Sequence, residues 1–268
     1  MTYTVLTLFP GIIDAYFSAS IMAKAVERGI VSYRAINIRD FALDRHKTCD
    51  DAPYGGGPGM LMLPEPLGRA LEAAGVPGKT GEAGSGGPAK FPKTGSGSAG
   101  GRRVIYLSPS GRPFNQEMAK DLAACEELIL LCGRYEGIDQ RIVDRYIDEE
   151  VSLGDYVLSS GEAAALVIVD ATYRLVDRVI TRESLEEESF SSGLLEYPQY
   201  TRPEVYAMMK VPEILLSGHH ENIRRWRLRK QVEKTLALRP DLIRRGEETG
   251  LFDAETRKII EELRQEHE

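Results

Sequence analysis

Two short loops concentrate the side chains that could do chemistry: CGRYEGID at Cys132–Asp139 and SLGDYVLSSGE at Ser152–Glu162. The first follows the apolar run Leu128–Leu131, a pattern that suits a strand buried on both faces of a parallel sheet. Arg134, Tyr135 and Glu136 then crowd between Gly133 and Gly137, too polar for a core. The second strand-like run, Val151 to Leu158, is broken by Gly154 and Asp155 and closed by Ser159, Ser160 and Gly161. In open α/β sheets ligands sit outside the carboxyl ends of strands, where glycine lets the backbone come close. These loops are the candidate ligand site, although ordinary strand-to-helix connections share their composition. A second concentration is cationic: Arg224, Arg225, Arg227, Arg229 and Lys230 fall within seven residues, beside Trp226. That clustering suits contact with a nucleic acid, and equally the solvated face of an amphipathic helix.

The elements that must position these groups read as alternating strands and helices. Tyr3–Phe9 is a β-branched apolar run ending at Pro10-Gly11, Ile12–Val26 has helical spacing closed by Gly29, and Val31–Ile38 alternates as a second strand. Strand, helix, strand at this spacing predicts a βαβ unit and a largely parallel sheet. Met62–Ala74 reads as a helix, Arg103–Leu107 as a strand ending in Ser108-Pro109-Ser110-Gly111, Asn115–Ala124 as a helix, and Glu162–Val176 as a strongly apolar helix. Arg174 in that last helix is hard to explain by packing alone. Pro77–Gly101 holds nine glycines in 25 residues, a composition that cannot bury a core and reads as a mobile surface insertion. Its Lys79, Lys90 and Lys93 read more simply as solvated than as polyanion contacts. Thr181–Ser192 is polar and acidic and holds the expected domain boundary; beyond it come several helical patterns, among them Asn222–Leu238.

At 268 residues, 42% hydrophobic and 28% charged, the chain is globular, with one or two domains. No apolar run reaches the ~18 residues of a membrane span, and MTYTVLTLFPG lacks the features of a secretory signal, so a cytoplasmic protein is expected. Cys49, Cys125 and Cys132 have no CxxC spacing, which supports neither a disulfide framework nor a zinc site. The net charge of −7 argues against a polyanionic partner, yet Arg202–Arg245 carries 11 Lys and Arg against 5 Asp and Glu. Phosphate contacts are local, so such a segment can bind RNA within an acidic protein. The glycine cluster Gly55–Gly59 is no phosphate loop, because no Gly-Lys-Ser/Thr follows it. A long loop without periodicity, Arg39–Met60, is more often functional than not. A dinucleotide-binding oxidoreductase would place GxGxxG after the first strand, where this chain has Phe9-Pro10-Gly11-Ile12. A non-catalytic RNA-binding protein is a third reading, in which the basic cluster is the whole function.

CGRYEGID, SLGDYVLSSGE, YLSPSG at Tyr106–Gly111, DDAPYGGGPGM at Asp50–Met60, YTRP at Tyr200–Pro203 and the stretch Val211–Arg229 together resemble the bacterial tRNA (guanine-N1)-methyltransferases of the SPOUT superfamily, along nearly the whole chain. The resemblance implies an α/β fold with a mostly parallel sheet, helices on both faces and a trefoil knot, plus a small helical carboxyl domain. It divides the chain into a catalytic domain at 1–180, a linker at 181–195 and a tRNA-binding domain at 196–268. It implies methyl transfer from S-adenosylmethionine to N1 of the guanosine at tRNA position 37, by a homodimer whose active sites join the knot of one subunit to the carboxyl domain of the other. Carried over by position, the cofactor residues are Tyr106, Leu107, Ser108, Pro109, Gly133, Tyr135, Glu136, Ser160, Gly161 and the run Ser152, Leu153, Gly154, Asp155, Tyr156, Val157, Leu158. Glu136 could take the methionine amino group or a Mg²⁺ ion. Asp50, Arg202, Arg224, Arg225 and Arg227 are implied to contact tRNA. The family's general base is an Asp before Ser-Phe; here Glu188 precedes Ser189-Phe190, with Glu187 the nearest competitor, and Arg174 matches the charge-stabilising arginine. The family's Gly-Gly before the helix glutamate is Ser160-Gly161 here.

Overall fold

The computed structural model describes residues 1–79, 101–180 and 188–266, and these fall into two compact units, Met1–Ile180 and Thr181–Glu268. In the first, period-two burial assigns each central strand to both faces of one sheet. Five strands, β1 (Thr2–Thr7), β2 (Ser32–Asn37), β5 (Arg102–Pro113), β6 (Glu127–Leu131) and β7 (Glu149–Ser152), pair in the order β2-β1-β6-β5-β7, all parallel. Leu128 and Leu130 of β6 enter one core with Tyr3, Val5, Ile105 and Val151, while Ile129 and Leu131 enter the other with Leu6, Val104 and Tyr106. Helices cover both faces. α1 (Pro10–Phe17), α2 (Ser20–Glu27), α4 (Gln116–Ala123) and α6 (Gly161–Tyr173) contribute to the first core; α3 (Pro64–Ala73) and α5 (Gln140–Tyr146) contribute to the second. A two-residue antiparallel pair, β3 (Asp50–Asp51) with β4 (Leu61–Met62), closes the long glycine loop at its base.

From β5 the chain passes through α4 to β6 on one side, then through α5 to β7 on the other side of β5. That reversal opens a crevice at the carboxyl ends of β5, β6 and β7, which is where an open α/β sheet takes its ligand.

Several local expectations are corrected. The helix expected over Ile12–Val26 is two helices, because the Ser18 hydroxyl donates to the carbonyls of Asp14 and Ala15 and ends the first, and Ser20 turns to φ +52°. The run Val151–Leu158 is strand only as far as Ser152, since Gly154 takes φ +146° and turns the chain outward. The expected strand at Arg103–Leu107 runs on to Pro113, with Ser108–Gly111 extruded between Leu107 and Arg112, both of which pair with Val151. The helix expected from Met62 starts at Pro64, and the apolar helix of Glu162–Val176 spans Gly161–Tyr173 with Arg174 as its C-cap. The seven-residue α5, capped by Asp139, carries no signal that was read in the sequence.

In the second unit, helices at His220–Leu238, Pro240–Glu248 and Ala254–Glu266 enclose a core of Leu194, Val232, Ile243, Phe252, Ile260 and Leu263, while the short helix Glu213–Leu216 buries no residue. A hairpin, β8 (Val205–Tyr206) with β9 (Met209–Lys210), stands beside them. Among the described residues no helix is long and apolar enough to cross a membrane.

Candidate functional site

A cleft of about 380 Å³ lies at the carboxyl edge of the sheet, within the range of small-molecule sites. Tyr106, Leu107, Ser108, Pro109, Gly133, Tyr135, Glu136, Ser152, Leu153, Gly154, Tyr156, Val157, Leu158, Ser160 and Gly161, all singled out in the sequence, line it. Asp155 is exposed and is not among the lining residues. Ser110, Arg134, Gly137, Val151, Ser159 and Ala164 line the cleft too. Five of these six adjoin a singled-out residue, so carrying over whole loops instead of single positions would have found them; Ala164 lies one turn into α6.

The two signature loops are fastened to each other. The Gly161 amide donates to the Gly133 carbonyl at 2.9 Å, and Arg134 and Ser160 form an antiparallel bridge. Ser160 is extended at φ −164°, so serine there carries no backbone strain. Gly161 has no such freedom of substitution, because a Cβ would meet the Cα of Cys132 at 2.8 Å. The first loop is tied in turn to the long glycine loop: the Glu136 amide donates to the Met60 carbonyl at 3.0 Å, and the Met62 amide to the Gly137 carbonyl at 3.0 Å. Tyr135, held at φ +59°, has Asp50 and Arg39 close enough for their charges to act on its phenol. Asp50 therefore sits within reach of the cleft wall, on β3.

Electrostatics limit what the cleft can do unaided. Burial, then the nearby Glu150 carboxylate, pushes the Tyr106 phenol up to about 12. Burial also raises Tyr135, helped by Asp50, and raises the Cys132 thiol well above its usual value. At neutral pH these groups are protonated, which makes the phenols hydrogen-bonding groups and the thiol inert as a nucleophile. Arg134 and Glu136 are the charged side chains among the lining residues, and the Arg134 guanidinium stacks 4.9 Å from the Phe9 ring centroid. A cleft with apolar walls, serine hydroxyls and one charge of each sign suits a nucleoside joined to a zwitterionic amino acid. S-adenosylmethionine has that chemistry, and the residues present fit it. Among the described residues no three His, Cys, Asp or Glu gather as a metal-ligand set. Mg²⁺ at Glu136 would thus draw its other ligands from water and substrate oxygens.

The remaining singled-out residues lie elsewhere. Arg174 is not among the cleft's lining residues; with Tyr16, Gln116, Leu166, Val167, Asp170, Ala171 and Leu175 it borders a second depression of about 390 Å³. Tyr16 donates a hydrogen bond to Asp170 across it. Glu188 is half-buried in the second unit, its carbonyl accepting from the Ser191 amide at 3.2 Å, and Glu187 lies outside the described residues. Arg202 is exposed. The cationic cluster is extensively ion-paired: Arg224 with Glu221 and Glu255, Arg225 with the same two, Arg229 with Glu262 and Glu266, and Lys230 with Glu233. Arg227 stacks over Tyr197 at 4.7 Å, and Trp226 packs near Tyr200 with ring centroids 6.4 Å apart. Of the insertion, 80–100 lies outside the described residues, so Lys90 and Lys93 do too; Lys79 pairs with Asp148 at 3.5 Å.

Comparison with known proteins agrees with the geometry. The family model described as tRNA (Guanine-1)-methyltransferase TrmD matches residues 1–245. A protein of Treponema denticola named tRNA (guanine-N(1)-)-methyltransferase is 56% identical over 266 residues, covering 99% of this chain and 100% of its own. Proteins of the same name from Treponema pallidum and Borrelia duttonii are 52% and 51% identical, over 98% and 94% of this chain and 96% and 99% of theirs. With a cleft built from its signature loops and relatives aligned from end to end, the chain belongs to the tRNA (guanine-N1)-methyltransferase family.

Proposed function

We propose that the protein transfers a methyl group from S-adenosylmethionine to N1 of the guanosine at position 37 of tRNA. The observation that carries this reading is the one cleft formed by both signature loops and the Tyr106–Ser110 segment, in a chain of this family. S-adenosylmethionine, when bound, supplies a methyl group already activated by its sulfonium. The protein's work is then orientation, deprotonation and charge stabilisation. Backbone groups of the Ser152–Gly161 loop, with Leu107 and Leu153, would hold the nucleoside, and Glu136 and Arg134, the charged lining residues, would take the zwitterionic amino-acid end. Glu188 takes the proton from N1, and the Arg174 guanidinium stabilises the negative charge left on O6 of the base. The three loops form the family's trefoil knot, residues 196–268 bind the tRNA, and Mg²⁺, where required, binds at Glu136.

The reading includes a homodimer. Arg174 borders a depression separate from the cleft, on a surface where α1 and α6 leave Ile12 and Val167 exposed. In a dimer such a surface is covered, and each active site combines Glu188 of one subunit with the cleft of the other. The test is transfer of labelled methyl from S-adenosylmethionine to unmodified tRNA with G at position 37. Label recovered as N1-methylguanosine at that position is expected. Unlabelled tRNA, from folded protein that binds it, would instead make this an RNA-binding protein without catalysis.

A further inference from the structure

The extruded segment Ser108–Gly111 is one wall of the cleft; the Ser108 hydroxyl, 2.7 Å from the Ser110 hydroxyl and accepting from the Ser110 amide at 3.3 Å, shapes its tip, while its base is set from outside. Its two ends, Leu107 and Arg112, both pair with Val151 of β7, so the four residues between them are squeezed out of the ladder. Gly111 presses so closely on β7 that a Cβ there would lie 2.4 Å from the Val151 nitrogen. Beside this base stands Glu149, whose side chain is only 2% exposed. One of its oxygens lies 3.0 Å from Nε of Arg112, after the extrusion, as a charge contact without hydrogen-bond alignment, and the other accepts from Arg103, before it, at 3.5 Å. A buried carboxylate thus clasps the strand on both sides of the extruded loop. A charge taken out of water this far is retained only where it is paired.

Resting on the proposed function, we infer that Glu149 is a positioning residue for the methyl donor: through Arg112 it sets the base of the loop that carries Ser108, Pro109 and Ser110 into the cleft. Glu149 does not line the cleft, and its effect is transmitted by the loop. A displaced loop loses contacts made equally to the bound donor and in the transition state, so the loss falls on donor affinity. The ion pair acts as a unit, so loss of either partner has the same consequence.

The experiment compares wild type, Glu149→Gln, Arg112→Gln and Arg112→Lys in steady-state kinetics, with calorimetric binding of S-adenosylhomocysteine and filter binding of tRNA. Expected for Glu149→Gln and Arg112→Gln is a donor KM raised about tenfold or more, with tRNA affinity unchanged and kcat at saturating donor within about threefold of wild type. Arg112→Lys, which keeps the charge, recovers part of the donor affinity, and the double variant is no worse than either single one. Unchanged donor affinity in a folded Glu149→Gln, or a loss spread evenly over donor KM, tRNA affinity and kcat, overturns the inference. Should Glu149→Gln fail to fold, Arg112→Gln decides alone, since it leaves Glu149 paired with Arg103. A wild-type protein that binds no S-adenosylhomocysteine would sink the functional reading instead.

Discussion

The backbone of Gly161 lies against Cys132 so closely that any side chain would collide: a Cβ would stand 2.8 Å from the Cα of Cys132 and 2.9 Å from the Gly133 nitrogen. The first turn of α6 is thereby packed onto the end of β6, and the Gly161 amide reaches the Gly133 carbonyl. Both signature loops depend on this contact.

Gly161→Ala should therefore separate the loops. Overpacking of this kind costs about 1–3 kcal/mol, and the lost register should abolish measurable binding of S-adenosylhomocysteine. Ser160→Gly, at an extended position, should leave donor binding within about twofold of wild type, because nothing there requires glycine. Calorimetry on both variants checks the pair. A Gly161→Ala protein that binds the donor normally would show that the contact is incidental.

Asp139 caps α5 at the edge of the cleft loop, and its carboxylate is held below the usual range by Arg141 and by the Arg141 amide. Because the folded pKa lies below the unfolded one, the stabilisation is fully present above about pH 4 and is lost as pH falls through the folded value. Carboxyl resonances followed by NMR should place the Asp139 midpoint below that of an ordinary aspartate, and Asp139→Ala should cost about 1 kcal/mol at pH 7. A midpoint at or above about 3.9 would contradict this assignment.

Arg224 is bound to Glu221 and Glu255 on the protein's own surface, at 2.9 and 2.8 Å. Exposed pairs contribute little, so Arg224→Ala should leave stability nearly unchanged. If it also meets a tRNA phosphate, the same variant should weaken tRNA binding and lower the salt slope by about one. An unchanged salt slope would confine Arg224 to its helix-to-helix ion pairs.

Subunit sharing makes a prediction that a self-contained active site does not. Glu188→Gln and Gly161→Ala should each be nearly inactive alone. Mixed and allowed to exchange, they should recover activity, because a hybrid dimer contains one site with both native residues. A mixture no more active than its components would place both groups in one subunit.

Much of this was legible in the chain. Leu128–Leu131 marked a doubly buried strand because all four residues are apolar, and the glycine-rich loops after the strands marked the cleft. What was not legible depended on partners distant in sequence. Ser108-Pro109-Ser110-Gly111 reads as the end of a strand, and only its pairing with β7 shows that the strand resumes at Arg112. The cations of Arg224–Lys230 read as a free basic surface, because Glu255 and Glu266 lie 31 and 37 residues beyond the arginines they meet. The break at Ser18 turns on a hydroxyl competing for helix carbonyls, which apolar spacing does not register.

The most direct test of the account is single-turnover methyl transfer to unmodified tRNA by wild type and Glu188→Gln, at saturating donor and enzyme, with nucleoside analysis of the product. The account predicts N1-methylguanosine at position 37 from wild type and a rate lower by about 10²- to 10⁴-fold in the variant, with tRNA and donor binding retained. An equal rate in Glu188→Gln, or label in any other nucleoside, would contradict it.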